Sequence, residues 1–351
     1  MPASDALRTA RFVSVSGVGN QYLGLGCVIG LEGCVQPAIW ESPDGLEWQI
    51  AEPVFLPPDS SGGTVVAVAS SALGTVAVGN VSDGDRTQAS IWLRGDDGWA
   101  QVTPQSAGDS TIHALLATDR RAFAIGSGAF MEAAGFRAWW SPDGTTWQAA
   151  QSPPDELGGY PTGLLPVADR LLAWGPSCGG VCVPTTAWWV TADGTAWQAA
   201  KPPRGLEGAS LYAISPSAGG FEAFGEVGGG DLPSRSTAWV ADAAAAEWKT
   251  VPPLPDSDAI RIVQYLRVGG GSVAAGEGGG ATGQAGYIWL RGPRDGTWRP
   301  PMQVALPDGD VDLVALIQHP EQLDRIIVIG RTFERLRERL VLWTGLVDWA
   351  P

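Results

Sequence analysis

The chain has 351 residues, with 37 acidic against 22 basic side chains and a formal net charge of −15. That balance excludes a nucleic-acid binder, which needs a basic footprint to neutralise phosphates. No apolar run reaches the roughly 18 residues of a membrane-spanning helix, and 48 Gly and 27 Pro beside a 44% apolar fraction describe a turn-rich but folded chain.

In chain order, Met1 to Ala10 lacks the basic-then-apolar pattern of a signal peptide. This leaves either a cytoplasmic protein or a mature region whose leader was removed. The first apolar pair of segments ends at Gly26, passes Cys27 and Cys34, and reaches Trp40-Glu41-Ser42-Pro43-Asp44-Gly45-Leu46-Glu47-Trp48, then Pro53. The second runs Thr64 to Val68, a turn at Ser70 to Gly74, then Thr75 to Gly79, and continues through Trp92 and Trp99 to Pro104. The third reaches Gly126, then Trp139 to Trp147, with Ser141-Pro142-Asp143-Gly144 between, then Pro153 and Pro154. The fourth reaches Gly175, Cys178 and Cys182, then Trp189 to Trp197 around Asp193-Gly194, then Pro202 and Pro203. Weaker copies follow at Gly225 with Trp239 and Trp248, Gly276 with Trp289 and Trp298, and Gly330 with Trp343 and Trp349.

The first Trp of each copy advances by 52, 47, 50, 50, 50 and 54 residues. A fixed period of this size signals a repeat architecture. Each unit reads as four short β-rich segments, A to D, bounded by turn residues. The prediction is an all-β, seven-bladed β-propeller with four antiparallel strands per blade. It forms one domain over 1–351, a monomer, with blades near 10–53, 64–104, 111–154, 160–203, 210–253, 261–301 and 312–351. Pro collects after the second Trp of nearly every copy and cannot donate to a ladder, so strand D is the outer edge and strand A innermost. Small residues on strand A, such as Ser14, Ala67, Ala114 and Ala213, suit close approach of neighbouring blades.

Ser-x-Asp-Gly-x-x-Trp between strands C and D resembles the Asp-box, or BNR repeat, of sialidase-like propellers. It is one residue shorter, since Gly follows Asp directly. Asp44, Asp143 and Asp193 carry the clear copies, closed by Trp48, Trp147 and Trp197. The Asp carboxylate is expected to accept backbone N–H bonds in the turn, the Gly to supply a positive φ, and the Trp to pack. The resemblance implies a site on the end of the blades that carries the B–C and D–A loops. It also implies either a glycosidase, with an arginine cluster, a Tyr–Glu nucleophile pair and an acidic proton donor, or a non-catalytic relative. The latter include seven-bladed assembly factors of photosynthetic membranes.

The close pairs Cys27–Cys34 and Cys178–Cys182 read as two local disulfides, and so as an extracellular or cell-envelope protein. The first residue of strand A, aligned across blades, is Arg11, Thr64, Thr111, Tyr160, Ser210, Arg261 and Asp312. It should line the mouth of the axial channel, making Arg11, Tyr160, Arg261 and Asp312 the candidate ligand-binding residues. Arg11 and Arg261 beside Asp312 are expected either to grip an anion or to pair with it. Asp83, Asp85, Glu226, Asp231, Glu277, Asp256, Asp258, Asp308 and Asp310 read as a solvated acidic rim; calcium is the one cofactor they suggest, and no metal site is assigned. Arg335, Arg337 and Arg339 share a face if strand C of blade seven extends back that far. They would form a patch for an acidic partner, with a short helix around Arg331 to Leu340 as the alternative. His113 falls within strand A and is expected to be packed. Tyr160, Tyr212 and Tyr265 also fall there, and no Glu is identifiable as their partner. The balance favours an extracytoplasmic propeller that binds a protein or glycan without catalysis; a sialidase-like hydrolase and an assembly or scaffold factor are the alternatives.

Overall fold

Runs such as Thr64-Val65-Val66-Ala67-Val68 are rich in β-branched residues and end at Gly-containing turns, so they extend and pair locally. In the computed structural model they become antiparallel sheets, each pairing consecutive strands in chain order. The structure describes the chain apart from residues 1–6, 8, 31–32, 52–53, 55, 58, 103–107, 129–134, 154–158, 179–183, 218, 230–231, 253, 257–259, 269, 280–283, 293–296, 305–309, 323, 335–336 and 348–351. Blade one comprises β1 (Ala10–Val18), β2 (Gln21–Gly30), β3 (Gly33–Ser42) and β4 (Gln49–Ile50). Blade two has β5 (Gly62–Ser71), β6 (Gly74–Asp83), β7 (Arg86–Gly95) and β8 (Gly98–Gln101). Blade three has β9 (Ser110–Ala117), β10 (Ala122–Gly128), β11 (Phe136–Ser141) and β12 (Gln148–Ala149). Blade four has β13 (Gly163–Val167), β14 (Arg170–Cys178), β15 (Pro184–Thr191) and β16 (Gln198–Ala200). Blade five has β17 (Ala209–Ser217), β18 (Gly220–Gly229), β19 (Leu232–Asp242) and β20 (Trp248–Val251). Blade six has β21 (Ile260–Val268), β22 (Gly271–Gly279), β23 (Gln284–Arg291) and β24 (Met302–Val304). Blade seven has β25 (Asp310–Gln318), β26 (Arg325–Glu334) and β27 (Arg337–Leu346), three strands among the described residues. The fold is a seven-bladed β-propeller. The helix considered around Arg331 to Leu340 is not formed: its described residues, up to Glu334 and from Arg337, are strand, because β26 and β27 pair in unbroken register from Arg325↔Leu346 to Glu334↔Arg337.

Two compact units partition the chain. One holds Thr9–Glu41 and Gln49–Pro202, which is most of blades one to four. Within it, the first strands of successive blades touch, β1 with β5, β5 with β9 and β9 with β13. The facing surfaces bury apolar side chains: Leu23, Leu25, Val65, Ala77 and Trp92 between blades one and two, and Val78, Ile112, Ala124 and Trp139 between two and three. The other unit holds Met1–Arg8, Ser42–Trp48 and Pro203–Pro351. There β17 touches β21 and β21 touches β25, with Phe224, Ile262, Tyr265, Ala274 and Trp289 buried between blades five and six. The expected small residues do sit at close approaches: Ser14 Oγ donates to the Val66 carbonyl at 2.9 Å.

One irregularity recurs. Six first strands carry a β-bulge at the same point, so that Val13, Val66, His113, Tyr212, Val263 and Val314 have no partner on the second strand. A bulge kinks its strand and re-aims side chains. The repeated glycine has a steric reason of its own. A Cβ on Gly126 would lie 1.7 Å from the Thr111 carbonyl oxygen. The same clash arises at Gly26 with Arg11 (1.8 Å), Gly79 with Thr64 (2.0 Å), Gly175 with Tyr160 (1.9 Å) and Gly225 with Ser210 (2.2 Å). It is milder at Gly276 with Arg261 (2.9 Å) and Gly330 with Asp312 (3.0 Å). The carbonyls belong to the seven residues that the sequence alignment places first on strand A.

The Asp-Gly turns form as expected. Asp44 Oδ1 accepts the amides of Leu46 (2.8 Å) and Glu47 (3.0 Å), and Trp48 Nε1 donates to the Gly45 carbonyl at 2.9 Å. Asp143 likewise accepts the Thr145 and Thr146 amides, and Trp147 Nε1 donates to Gly144 at 3.0 Å. Asp193 accepts from the Thr195 amide and hydroxyl. Gly45, Gly144 and Gly194 have φ of 79°, 76° and 82°, where a side chain is strained. The amide donors hold the Asp143 carboxyl far below its ordinary value, those of Thr146 and Thr145 foremost. For Asp44, burial pushes upward but the Glu47 and Leu46 amides, Ser42 and the charge of His319 outweigh it.

Candidate functional site

In each antiparallel blade the A–B turn and the Asp turn share one end, and the B–C and D–A connections share the other. The residue after each repeated glycine lies at that second end: Cys27, Asn80, Ser127, Pro176, Glu226, Glu277 and Arg331. Strand register sets most of them opposite the aligned first-strand residues, as Arg11↔Cys27, Thr111↔Ser127, Ser210↔Glu226, Arg261↔Glu277 and Asp312↔Arg331. Directly opposed side chains interact, so the chemistry of this end is largely set by these pairs.

In the unit holding blades five to seven, Arg261 Nη2 donates to Glu277 Oε2 at 3.0 Å, and Arg331 Nη2 donates to Asp312 Oδ2 at 3.0 Å. Arg261 and Asp312 therefore each have a partner on their own blade, where the sequence suggested the two could pair with each other. Glu277 is not a member of a solvated rim: its side chain is 3% exposed, and its Oε1 accepts the Leu313 amide of blade seven. A carboxylate can be buried here because both oxygens are satisfied. The Arg261 side chain stays 60% exposed, so its guanidinium still meets solvent. Tyr212, on the bulge of β17, is half-buried and its hydroxyl donates to Glu226. Burial, then the Glu226 hydrogen bond and charge, push the phenol above its ordinary value against the opposing charge of Arg261. A Tyr–Glu pair beside an arginine is thus present where sequence reasoning found none.

A second Tyr–Glu association lies near the opposite end of the blades. Arg291 Nη2 reaches Glu222 Oε1 (2.6 Å) and Oε2 (2.8 Å), Tyr265 Oη (3.1 Å) and Ser272 Oγ (3.0 Å), and the guanidinium lies over Trp298 at 5.0 Å. Glu222 and Tyr265 are buried, and Tyr265 is pushed up to about 12, chiefly by burial. This network joins blades five and six, with the Arg291 side chain 16% exposed.

In the unit holding blades one to four, Tyr160 is 41% exposed. The His113 ring lies 5.7 Å from it, inclined by 43°. His113 Nε2 is 3.1 Å from both Thr111 Oγ1 and Ser127 Oγ, which are 2.9 Å from each other. His113 is therefore part of a polar cluster at this end and only partly buried, where the sequence expected a packed residue. Burial lowers its pKa, which favours the neutral imidazole. Asn80 reaches across to blade three, donating to the Ile112 carbonyl (3.2 Å) and accepting the Ile112 amide (2.8 Å). Arg11 lies on β1, and Cys27–Cys34 is a disulfide. The side chains of Cys178, Arg337 and Arg339, and all of Cys182 and Arg335, lie outside the described residues; the backbone of Arg337 and Arg339 belongs to strand β27. Among the described residues no three His, Cys, Asp or Glu side chains gather as a metal site. An open cleft of about 570 Å³ lies at the opposite end of blade four, between Asp169, Arg170, Asp193 and Gln198.

The signal that could have exposed the opposed pairs is an offset of 16 residues, which separates Arg261 from Glu277, Ser210 from Glu226 and Thr111 from Ser127.

No family model and no curated protein matches the chain. Solved β-propellers do. The β-propeller domain of the Trilobed protease from Pyrococcus furiosus matches with TM-score 0.54 and 11% identity over 97% of this chain and 96% of that one. A PL25 polysaccharide lyase, an ulvan lyase, gives TM-score 0.60 and 9% identity over 98% and 93%. YCF48 bound to D1 peptide gives TM-score 0.57 and 17% identity over 99% of both chains. At these identities the likeness is one of fold.

Proposed function

We propose that this propeller is a binding or scaffold module that engages a protein or a glycan through the end carrying its B–C and D–A loops, without catalysing a reaction. The observation that carries the reading is the condition of the ionisable groups there. Glu277 is spent on Arg261 and the Leu313 amide, and Asp312 on Arg331, so these charges stitch strands and blades together. What remains accessible is suited to recognition: the exposed Arg261 guanidinium and the Tyr160 ring. A rigid scaffold that varies its end residues is a common way to build a recognition surface. YCF48 bound to D1 peptide, which matches along nearly its whole length, is a propeller of this size in a peptide complex. The turns at Asp44 and Asp143, with Asp accepting two amides and Trp donating to the Gly carbonyl, support kinship with Asp-box propellers. The Cys27–Cys34 disulfide supports an extracytoplasmic setting.

One observation favours a second reading, a glycosidase of sialidase type. Tyr212 is hydrogen-bonded to Glu226 with the Arg261 charge close by. In that reading the Tyr212 oxygen attacks the anomeric carbon as the glycosidic C–O bond breaks, the aglycone departs as an alcohol with a proton from solvent, Glu226 takes the phenolic proton, and Arg261 holds a substrate carboxylate; water then releases the sugar from Tyr212. The raised phenol pKa means that Glu226 would have to remove the proton during attack. Peptide and glycan arrays probed with wild type and Arg261→Ala, together with a fluorogenic sialoside, separate the two. Array binding weakened by Arg261→Ala in a variant that still unfolds cooperatively, with no sialoside turnover, supports the module; the melting temperature itself should fall, because Glu277 loses its partner. Turnover abolished by Tyr212→Phe replaces it with the enzyme.

A further inference from the structure

The position held by Tyr160 is constrained through its backbone. Its carbonyl is what excludes a side chain at Gly175, and its amide donates to the Pro176 carbonyl at 3.3 Å. Equivalent positions hold Arg, Thr, Ser or Asp without change of architecture, so the fold makes no demand for an aromatic ring. Yet a phenol stands there with 41% of its surface in solvent, which costs hydration free energy unless something covers it.

Next to it is a preorganised polar group. Thr111 and Ser127 hold His113 Nε2 between them, which fixes the imidazole plane. Among the described residues neither His113 Nδ1 nor the Tyr160 hydroxyl has a hydrogen-bond partner, and Nδ1 is not sealed from solvent. The Tyr160 and His113 rings are in contact, inclined by 43°, so an exposed aromatic surface and an imidazole edge lie side by side, each with a donor or acceptor. Thr111, His113, Ser127 and Tyr160 together carry no formal charge, in a chain of net charge −15.

We propose that Tyr160 and His113, braced by Thr111 and Ser127, form a subsite for one uncharged sugar ring of a glycan. A pyranose has an apolar C–H face that stacks on an exposed aromatic ring and hydroxyls that donate and accept at once, which matches the apolar body and polar tips available here. Thr111, His113, Ser127 and Tyr160 offer no cation to neutralise a uronate or sialate carboxylate, so a neutral ring is the better match to them. A hydrolytic use of the Ser127–His113 contact is excluded, since Ser127 is only 5% exposed and its oxygen is occupied by two neighbours. The subsite deepens the binding reading and rests on it.

The test is titration calorimetry and saturation-transfer NMR with the full chain and neutral cello-, manno- and galacto-oligosaccharides, with sialyllactose as the charged comparator. One neutral series should bind. Tyr160→Ala should weaken it by about tenfold or more, the scale of losing one aromatic anchor, while Tyr160→Phe retains it. Tyr160 is exposed, so both variants keep the wild-type melting temperature. Neutral binding indifferent to Tyr160→Ala, or binding of sialyllactose alone, overturns the subsite. Peptide-array binding that depends on Arg261 with no sugar binding at all overturns the subsite and leaves the binding module standing; silence on both arrays removes both.

Discussion

Gly126→Ala tests the structural logic of the blades most directly. The new Cβ would sit 1.7 Å from the Thr111 oxygen, 2.7 Å from its carbonyl carbon and 2.9 Å from the Ile112 Cα. All three are backbone atoms of the β9 bulge, so no flexible side chain can swing aside. Gly126 has no positive φ, and the penalty is therefore steric alone. To reach ordinary contact β9 must retreat, and the Ile112 amide and carbonyl that bond Asn80 move with it. Overpacking costs about 1–3 kcal/mol, and weakening that pair of buried hydrogen bonds adds about 1–2 kcal/mol. Reduced freedom of the unfolded chain returns about 0.4–1 kcal/mol. The expected net loss is about 2–4 kcal/mol. Gly276→Ala is the graded comparison: its Cβ would meet the Arg261 oxygen at 2.9 Å and two Ile methyl carbons at 3.0 Å, so side chains can yield. It should lose about 1 kcal/mol. Gly279→Ala, with nothing within 4 Å, should stay within about 0.5 kcal/mol of wild type. Urea unfolding followed by tryptophan fluorescence measures all three. Equal losses at Gly126 and Gly276, or a Gly126→Ala loss below about 1 kcal/mol, would refute the carbonyl-against-glycine account.

Trp147→Ala removes a side chain that is 3% exposed and bonded to the Gly144 carbonyl, and should cost about 3–5 kcal/mol in the same assay; a loss under about 1 kcal/mol would mean the turn Trp does not hold the blade. Asp143 has a folded pKa below its ordinary 3.8, so its contribution is present above that pH and fades as pH falls through the folded value. The Asp143→Asn variant should therefore show a shallower decline of melting temperature below about pH 4 than wild type, and identical acid limbs would count against the turn hydrogen bonds. Glu277→Ala strands the buried Leu313 amide and should cost about 1–3 kcal/mol, whereas Glu277→Gln keeps an acceptor and should cost less; the reverse order in thermal unfolding would remove Glu277 from its bridging role.

The seven sheets were legible because Trp and Gly recur where packing forces them to: the first Trp of six blades is 2% exposed or less, and the Gly faces a carbonyl. The Asp turns were legible because their hydrogen bonds span two or three residues. The opposed pairs were harder to see. Placing Glu277 against Arg261 requires the hairpin register, which depends on where the A–B turn tightens. The bulge was invisible for a related reason. Strict alternation cannot show that His113 or Tyr212 is an extra residue, and that extra residue is what sets the Tyr212–Glu226 pair and the His113 cluster at the loop-bearing end.

That irregularity also explains how recognition can diversify on a fixed scaffold. At the seven aligned positions the element shared by every blade is the carbonyl, which fills the space left by the glycine. That contact does not fix the side chain, and Arg11, Thr64, Thr111, Tyr160, Ser210, Arg261 and Asp312 differ in size, charge and polarity. The structural load falls instead on the opposed residue after the glycine, where Asn80 and Glu277 reach into the next blade. Backbone-determined packing of this sort tolerates deep sequence change, which fits propellers aligning along their whole length at 9–17% identity. It also predicts where to look for specificity: a variant at Tyr160 or Arg261 should change what is bound, and a variant at Gly126 or Gly175 should change whether the blades form.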